Sequence, residues 1–125
     1  MYQGKLTKGT ENSAGYDLHS VEDLEIAPWS RKLVPTGVRL NLKNYTFGLI
    51  KGRSGLSLKG IDVAAGVIDS DYSLEVKVVL VNNSDNLFKI EKNMRIAQLI
   101  ILPYLDLEEG KIEDKEHKGF GSTGN

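Results

Sequence analysis

Apolar residues recur at every second position through most of this chain, the spacing of half-buried strands and not of helices. In "GVRLNL" Val38, Leu40 and Leu42 fall on one side, with Arg39 and Asn41 on the other. "LEVKVVLV" places Leu74, Val76, Val78 and Leu80 on one face. Its opposite face begins polar with Glu75 and Lys77 and turns apolar at Val79 and Val81, as in a strand running from a rim to an interior. "RIAQLIILPYLDL" is apolar on both sides from Ala97 to Leu102. Such a strand needs cover on both faces, from the fold itself or from another subunit.

Turn signals break these runs at short, fairly even spacing: "KGT", "VPTG", "LKNY", "LKG", "NNSD" and "EKN". The pattern predicts an all-β sandwich or barrel of the jelly-roll kind. Only "RSGLSLKG" suggests a helical turn. With no internal repeat and no second composition regime, one domain is expected over residues 1–112, followed by a tail at 113–125. "EEGKIEDKEHKGFGSTGN" is charged, then glycine-rich, and it lacks alternation. A disordered terminus has that composition. Yet "GFGSTGN" also offers the backbone N–H groups and hydroxyls of a phosphate-binding nest, with the flat face of Phe120 in its midst.

Composition narrows the classes. A chain of 125 residues can bury one core without staples. A net charge of −1 gives no general footprint for nucleic acid, so any anionic ligand must be held by local groups. The absence of cysteine excludes disulfides and thiolate metal sites. The start, "MYQGKLTKGTENSAGYD", has no apolar core of signal-peptide length and no stretch approaches a membrane span, so a soluble intracellular protein, cytoplasmic or nuclear, is expected. His19 and His117 are expected to be solvated surface residues.

Five stretches carry candidate chemistry. "AAGVIDSDYSLEV" sets Asp69, Asp71 and Tyr72 between two apolar segments. Alone, such a group is an ordinary polar turn. "AGYDL" brings Asp17, and "GRSGLS" brings Arg53 and Ser54 beside Gly55, where a backbone can approach an anion closely. "RIAQ" opens an apolar strand with Arg95 and Gln98, and the glycine-rich tail is the fifth stretch. Together they are the parts needed to handle a metal–phosphate ligand. Carboxylates hold Mg²⁺ through its waters or activate a water. Arg, Ser, Gln and glycine-rich backbone hold phosphate oxygens. Aromatic rings stack on a base or sugar. The chain has neither a G-x-x-x-x-G-K-[S/T] loop nor the H-x-E and cysteines of a zinc deaminase.

The ordered set "AGYDL", "GRSGLS", "GVIDSDY", "RIAQLI" and "GFGSTG" resembles the five motifs of the trimeric dUTP pyrophosphatases (dUTPases), and it spans residues 14–124. "RSGLSLKGIDV" and "RIAQLIILP" extend the likeness. The resemblance implies a distorted jelly-roll-like β-barrel assembled as a homotrimer, each active site completed by a neighbour's C-terminal arm. It implies Mg²⁺-dependent hydrolysis of dUTP to dUMP and pyrophosphate, without nucleic-acid or membrane partners. On this reading Asp69 activates the water that attacks the α-phosphorus and Arg53 orients Asp69. Ser54 and Gly55 meet phosphate oxygens, Gln98 binds near the α-phosphate, and Asp17 holds a water of the Mg²⁺ shell. Tyr72 packs under the deoxyribose, and main-chain groups near Gly66 and Lys77 read the uracil edge. Phe120 closes over the base, while Gly121, Ser122, Thr123 and Lys115 take the phosphates.

The chain departs from the family pattern in four places. Ser73-Leu74 follows the motif tyrosine where a variable residue and glycine are usual, and Asn93 replaces a glycine. Leucine at a site of positive φ would cost about 1–2 kcal/mol, unless Leu74 simply starts a strand; asparagine tolerates that geometry better. Lys115-Glu116 replaces Arg-Gly, which removes a two-point phosphate grip and predicts weaker tail closure with a raised KM. Gly52 stands in place of proline. Two other readings are a dUTPase-fold protein that binds nucleotide or a partner without efficient hydrolysis, and the related dCTP deaminase branch. The hairpin and the "GFGSTG" ending fit the latter poorly. The source, cellular or viral, stays open.

Overall fold

The computed structural model describes residues 4–107, and over them the period-two pattern becomes short strands. In chain order these are β1 (Leu6–Thr7), β2 (Tyr16–His19), β3 (Leu24–Ile26), β4 (Arg31–Val38) and β5 (Thr46–Lys51). One helical turn, α1 (Ser54–Ser57), follows where "RSGLSLKG" predicted it. The remainder are β6 (Ile61–Ala64), β7 (Val67–Ile68), β8 (Val76–Asn82), β9 (Phe88–Ile90) and β10 (Arg95–Pro103). Among the described residues no helix is long and apolar enough to cross a membrane.

The strands form a five-stranded sheet in the order β1-β2-β10-β5-β7, a three-stranded sheet β4-β8-β6 and a two-stranded ribbon β3-β9. Every pairing is antiparallel. The arrangement is all-β and jelly-roll-like, but among the described residues the strands do not close into a barrel. One core cluster draws on all three sheets. Leu18, Ile50, Ile96 and Leu99 come from the first, Val34, Val76, Val78, Leu80 and Ile61 from the second, and Ile26 and Ile90 from the ribbon. Each fully buried aliphatic side chain contributes roughly 1.5–3 kcal/mol, so this cluster is what docks the sheets. Asn82 is buried in the same region, donating through Nδ2 to the Ile26 carbonyl (3.0 Å) and the Asn86 carbonyl (2.8 Å).

Several expectations need correction. "GVRLNL" is not a strand: only Gly37 and Val38 belong to β4, which instead runs through "VPTG". Proline is tolerated there because β4 is an edge strand, and Gly37 (φ 69°) takes up a register shift between Pro35 and Val38. Leu74 does not join the core face of β8, which starts at Val76; it is 62% exposed. Its φ is not positive, so the missing glycine costs no backbone strain. By contrast Asn93 does sit at positive φ (75°), where asparagine is well tolerated. On β10 Ile96, Ala97 and Leu99 are buried within the chain, whereas Ile101 is 37% exposed, so of the two expected sources of cover the fold itself serves only the first half of the strand. His19 is not a solvated surface residue: it is 6% exposed.

Candidate active site

The segment that links the two larger sheets builds a cleft. After β6 the chain turns through Ala65 (φ 60°) and Gly66 (φ 123°) to reach β7 on the other sheet. Gly66 is required twice. A side chain there would strain the backbone, and its Cβ would stand 2.7 Å from the Ile50 carbonyl oxygen. The Gly66 carbonyl in turn accepts the Ile50 N–H at 2.8 Å. Ala65 holds left-handed geometry at a cost of about 1–2 kcal/mol, strain of the kind that collects at functional sites.

From β7 the loop 69–75 returns the chain to β8 on the three-stranded sheet. The cleft between has a volume of about 260 Å³, and its lining includes Val63, Gly66, Asp69, Tyr72, Lys77 and Val79. Four sequence-predicted residues therefore meet at one place: Gly66, Asp69, Tyr72 and Lys77. A turn bond from the Tyr72 N–H to the Asp69 carbonyl (3.1 Å) fixes their spacing. The Tyr72 hydroxyl donates to the Glu75 carbonyl at 2.6 Å, and the ring is 37% exposed at the cleft. Asp71 is an exposed turn residue outside the lining. Apolar walls with one carboxylate and one aromatic ring suit a flat ring and a sugar.

A second group lies on β2, β5 and β10. Gln98 pairs with Asp17 on one side and Lys51 on the other. Its amide Nε2 donates to the Gly52 carbonyl at 3.0 Å, so the residue that stands in place of proline supplies the acceptor. Arg53 ends β5's outgoing loop, and its Nη1 donates weakly to the Arg95 carbonyl at 3.4 Å. Arg95 sits at a bulge that starts β10 and reaches Asp17 at 3.9 Å. Ser54 and Gly55 open α1, anchored by Leu56, and a Cβ on Gly55 would meet nothing within 4 Å. That surface is open to a ligand. Within the chain Arg53 makes no hydrogen bond to Asp69; the two belong to different groups.

His19 lines a groove with Lys5, Arg53, Lys92 and Arg95. Desolvation lowers its pKa, and the charges of Lys5 and Arg95 push the same way, against Asp17 and the Lys5 main chain. The ring is held neutral beside this cationic surface, with Nε2 3.3 Å from the Thr7 hydroxyl.

Among the described residues no cluster of three or more Asp, Glu or His groups could hold a metal by itself. Asp17, with its side chain 17% exposed, offers a single carboxylate near the Arg53–Gln98 group. Magnesium usually keeps several waters and takes one or two carboxylates plus substrate phosphates, so this donor set fits an ion that arrives with phosphate. The predicted Lys115, Phe120, Gly121, Ser122 and Thr123 lie outside the described residues. The sequence reading overlooked Gly15 against Gln98 and the polar contacts that hold loop 69–75. The glycine of "AGYDL" was the available signal for the first.

The fold and cleft define a jelly-roll-like β protein with a nucleoside-sized pocket and a separate group suited to phosphate. Comparison with known proteins makes that class specific. The dUTPase family model matches residues 3–124, and the chain belongs to the dUTPase family. The monkeypox virus deoxyuridine 5'-triphosphate nucleotidohydrolase is 43% identical over 123 residues, covering 94% of this chain and 82% of that protein. The native EIAV dUTPase structure superposes with a TM-score of 0.77 at 29% identity, over 88% of this chain and 97% of that one. A mutant dUTPase of Staphylococcus bacteriophage 80alpha, solved with dUpNHpp, gives 0.81 at 26% identity over 97% and 92%.

Proposed function

We propose that this chain hydrolyses dUTP to dUMP and pyrophosphate, with three copies sharing their active sites. The observation that carries the reading is the meeting of Asp69, Tyr72 and Gly66 in the lining of one cleft. The uracil and deoxyribose occupy the cleft, with Tyr72 under the sugar leaving no room for a 2′-hydroxyl. Main-chain groups near Gly66 and Lys77 read the base. Asp69 holds a water, takes its proton as the oxygen attacks the α-phosphorus, and the pyrophosphate leaves in line.

The second group serves the phosphates. Ser54, the backbone at Gly55 and Gln98 meet phosphate oxygens, and Arg53 orients the Asp69 of the site it completes. The separation of these residues from Asp69 within one chain supports a site built between copies. Asp17 would hold Mg²⁺ through a water; the ion, when bound, offsets charge on the phosphate oxygens. The arm, with Lys115, Phe120, Gly121, Ser122 and Thr123, closes over a neighbour's ligand.

The test is pyrophosphate release from dUTP with Mg²⁺, with dCTP, dTTP and UTP as controls. Rapid turnover of dUTP alone is expected. No turnover of dUTP ends the reading, and ammonia release from dCTP moves the chain to the deaminase branch.

A further inference from the structure

The loop that carries Asp69 and Tyr72 has almost no apolar anchor. Asp69, Asp71, Tyr72, Ser73 and Leu74 are all exposed, and the core resumes only at Val76. Apart from the bonds within it, the loop is held by polar contacts from the segment 36–39, at the bulge that ends β4. The Glu75 carboxylate accepts the Gly37 N–H at 2.8 Å. Arg39 donates through Nε to the Ser73 carbonyl at 2.7 Å. Of the carbonyls on either side of Leu74, that of Ser73 is thereby held directly and that of Glu75 through its residue's anchored side chain. The Glu75 carbonyl is the acceptor for the Tyr72 hydroxyl. Buried Thr36 completes the anchor, donating to the Val76 carbonyl at 2.5 Å and accepting the Val38 N–H at 3.2 Å.

We infer that Glu75 and Arg39 are positioning residues that set sugar selectivity by bracing Tyr72. The inference rests on the proposed dUTP reading and assigns a role to two residues outside the cleft chemistry. A carboxylate hydrogen-bonded to a buried backbone N–H and a guanidinium on a carbonyl are charge-assisted contacts, stronger than the neutral turn bond within the loop. They also explain why leucine is accepted at position 74. The loop is held from β4, so it needs no left-handed glycine of its own. If either brace is lost, the tyrosine ring remains on the loop but gains freedom to withdraw, and a 2′-hydroxyl then fits.

The experiment compares Glu75→Ala, Glu75→Gln and Arg39→Ala with the parent chain, reading kcat and KM for dUTP and UTP. Backbone hydrogen exchange at Gly37 and Tyr72 is followed in the same proteins. Glu75→Ala and Arg39→Ala are expected to lower the dUTP/UTP ratio of kcat/KM at least fivefold, through KM for dUTP and new turnover of UTP. Glu75→Gln keeps an acceptor for the Gly37 N–H and is expected to stay within twofold of the parent. A ratio that changes less than fivefold in both alanine variants, even with lowered Tm, overturns the inference and leaves these contacts structural. An inactive parent chain would count against the dUTP reading instead. In that case exchange decides the brace: faster exchange at Tyr72 in Glu75→Ala supports it, and unchanged exchange overturns it.

Discussion

Gly15 and Gln98 are matched in shape: a Cβ on the glycine would stand 2.9 Å from Gln98 Oε1 and 3.2 Å from the Leu99 carbonyl oxygen. The amide can keep its bond to the Gly52 carbonyl only because position 15 has no side chain. Gly15→Ala should therefore turn Gln98 away and lower kcat/KM for dUTP by about 10- to 100-fold, the scale of a misplaced binding group. Steady-state kinetics beside a thermal melt check this; a variant with normal kcat/KM would show that Gln98 does not contact the ligand.

Asp69 lines the cleft, and among the described residues its carboxylate makes no hydrogen bond or ion pair. Asp69→Asn should keep the fold and nucleotide binding while kcat falls about 10²- to 10⁴-fold, the usual range for losing a general base. Calorimetric binding of dUTP with turnover measured in parallel separates the two effects. Near-normal turnover would mean that another group activates the water.

Asn93 opens β10 from a left-handed position (φ 75°), its N–H bonded to the Ser20 carbonyl at 2.7 Å. Asn93→Ala should cost about 1 kcal/mol and Asn93→Gly should stay within about 0.5 kcal/mol of the parent chain. Urea denaturation midpoints for the pair give the answer, and equal losses would indicate that the side chain, not the backbone angle, matters there.

His19 makes stability depend on pH. Its native pKa lies below the ordinary 6.5, chiefly through burial, with Lys5 and Arg95 lowering it further and Asp17 opposing them. Between the native value and 6.5 the unfolded chain binds more protons, so stability should fall as pH drops from 6.5. As pH rises past 6.5 the unfolded ring also becomes neutral and this dependence fades out. Melting His19→Phe and the parent across pH 5–8 tests the sign, at about half-unit steps. A parent chain whose excess acid sensitivity over the variant is absent would refute it.

Sedimentation equilibrium should return the mass of three chains. A monomer with full dUTP turnover would overturn the shared-site arrangement, since Arg53 and Asp69 belong to separate groups within one chain.

The fold class was legible because burial on one sheet face imposes a period of two, and β8 and β10 display it directly. Their partners were not legible, and this is where local reasoning failed. "VPTG" has turn composition, yet at the edge of a sheet Pro35 lacks no needed N–H and Gly37 absorbs a bulge. His19 looked like a surface residue because what encloses it arrives from β1 and β10, distant in sequence. Asp69, Tyr72 and Gly66 could be grouped because they are close along the chain. The brace on their loop comes from residues 36–39, more than thirty positions away, and no spacing announces it.

The crossing at Ala65–Gly66 and the return through loop 69–75 leave each larger sheet owning only part of the cleft. A molecule that fills it can bind only when the sheets are docked, so occupancy and folding are linked by mass action. At about a hundred times its dissociation constant such a ligand adds about 2.7 kcal/mol to the folded state. A nucleotide held there at such excess would lower the population of open chain about a hundredfold, and cleavage by a protease that acts on the open chain would slow with it.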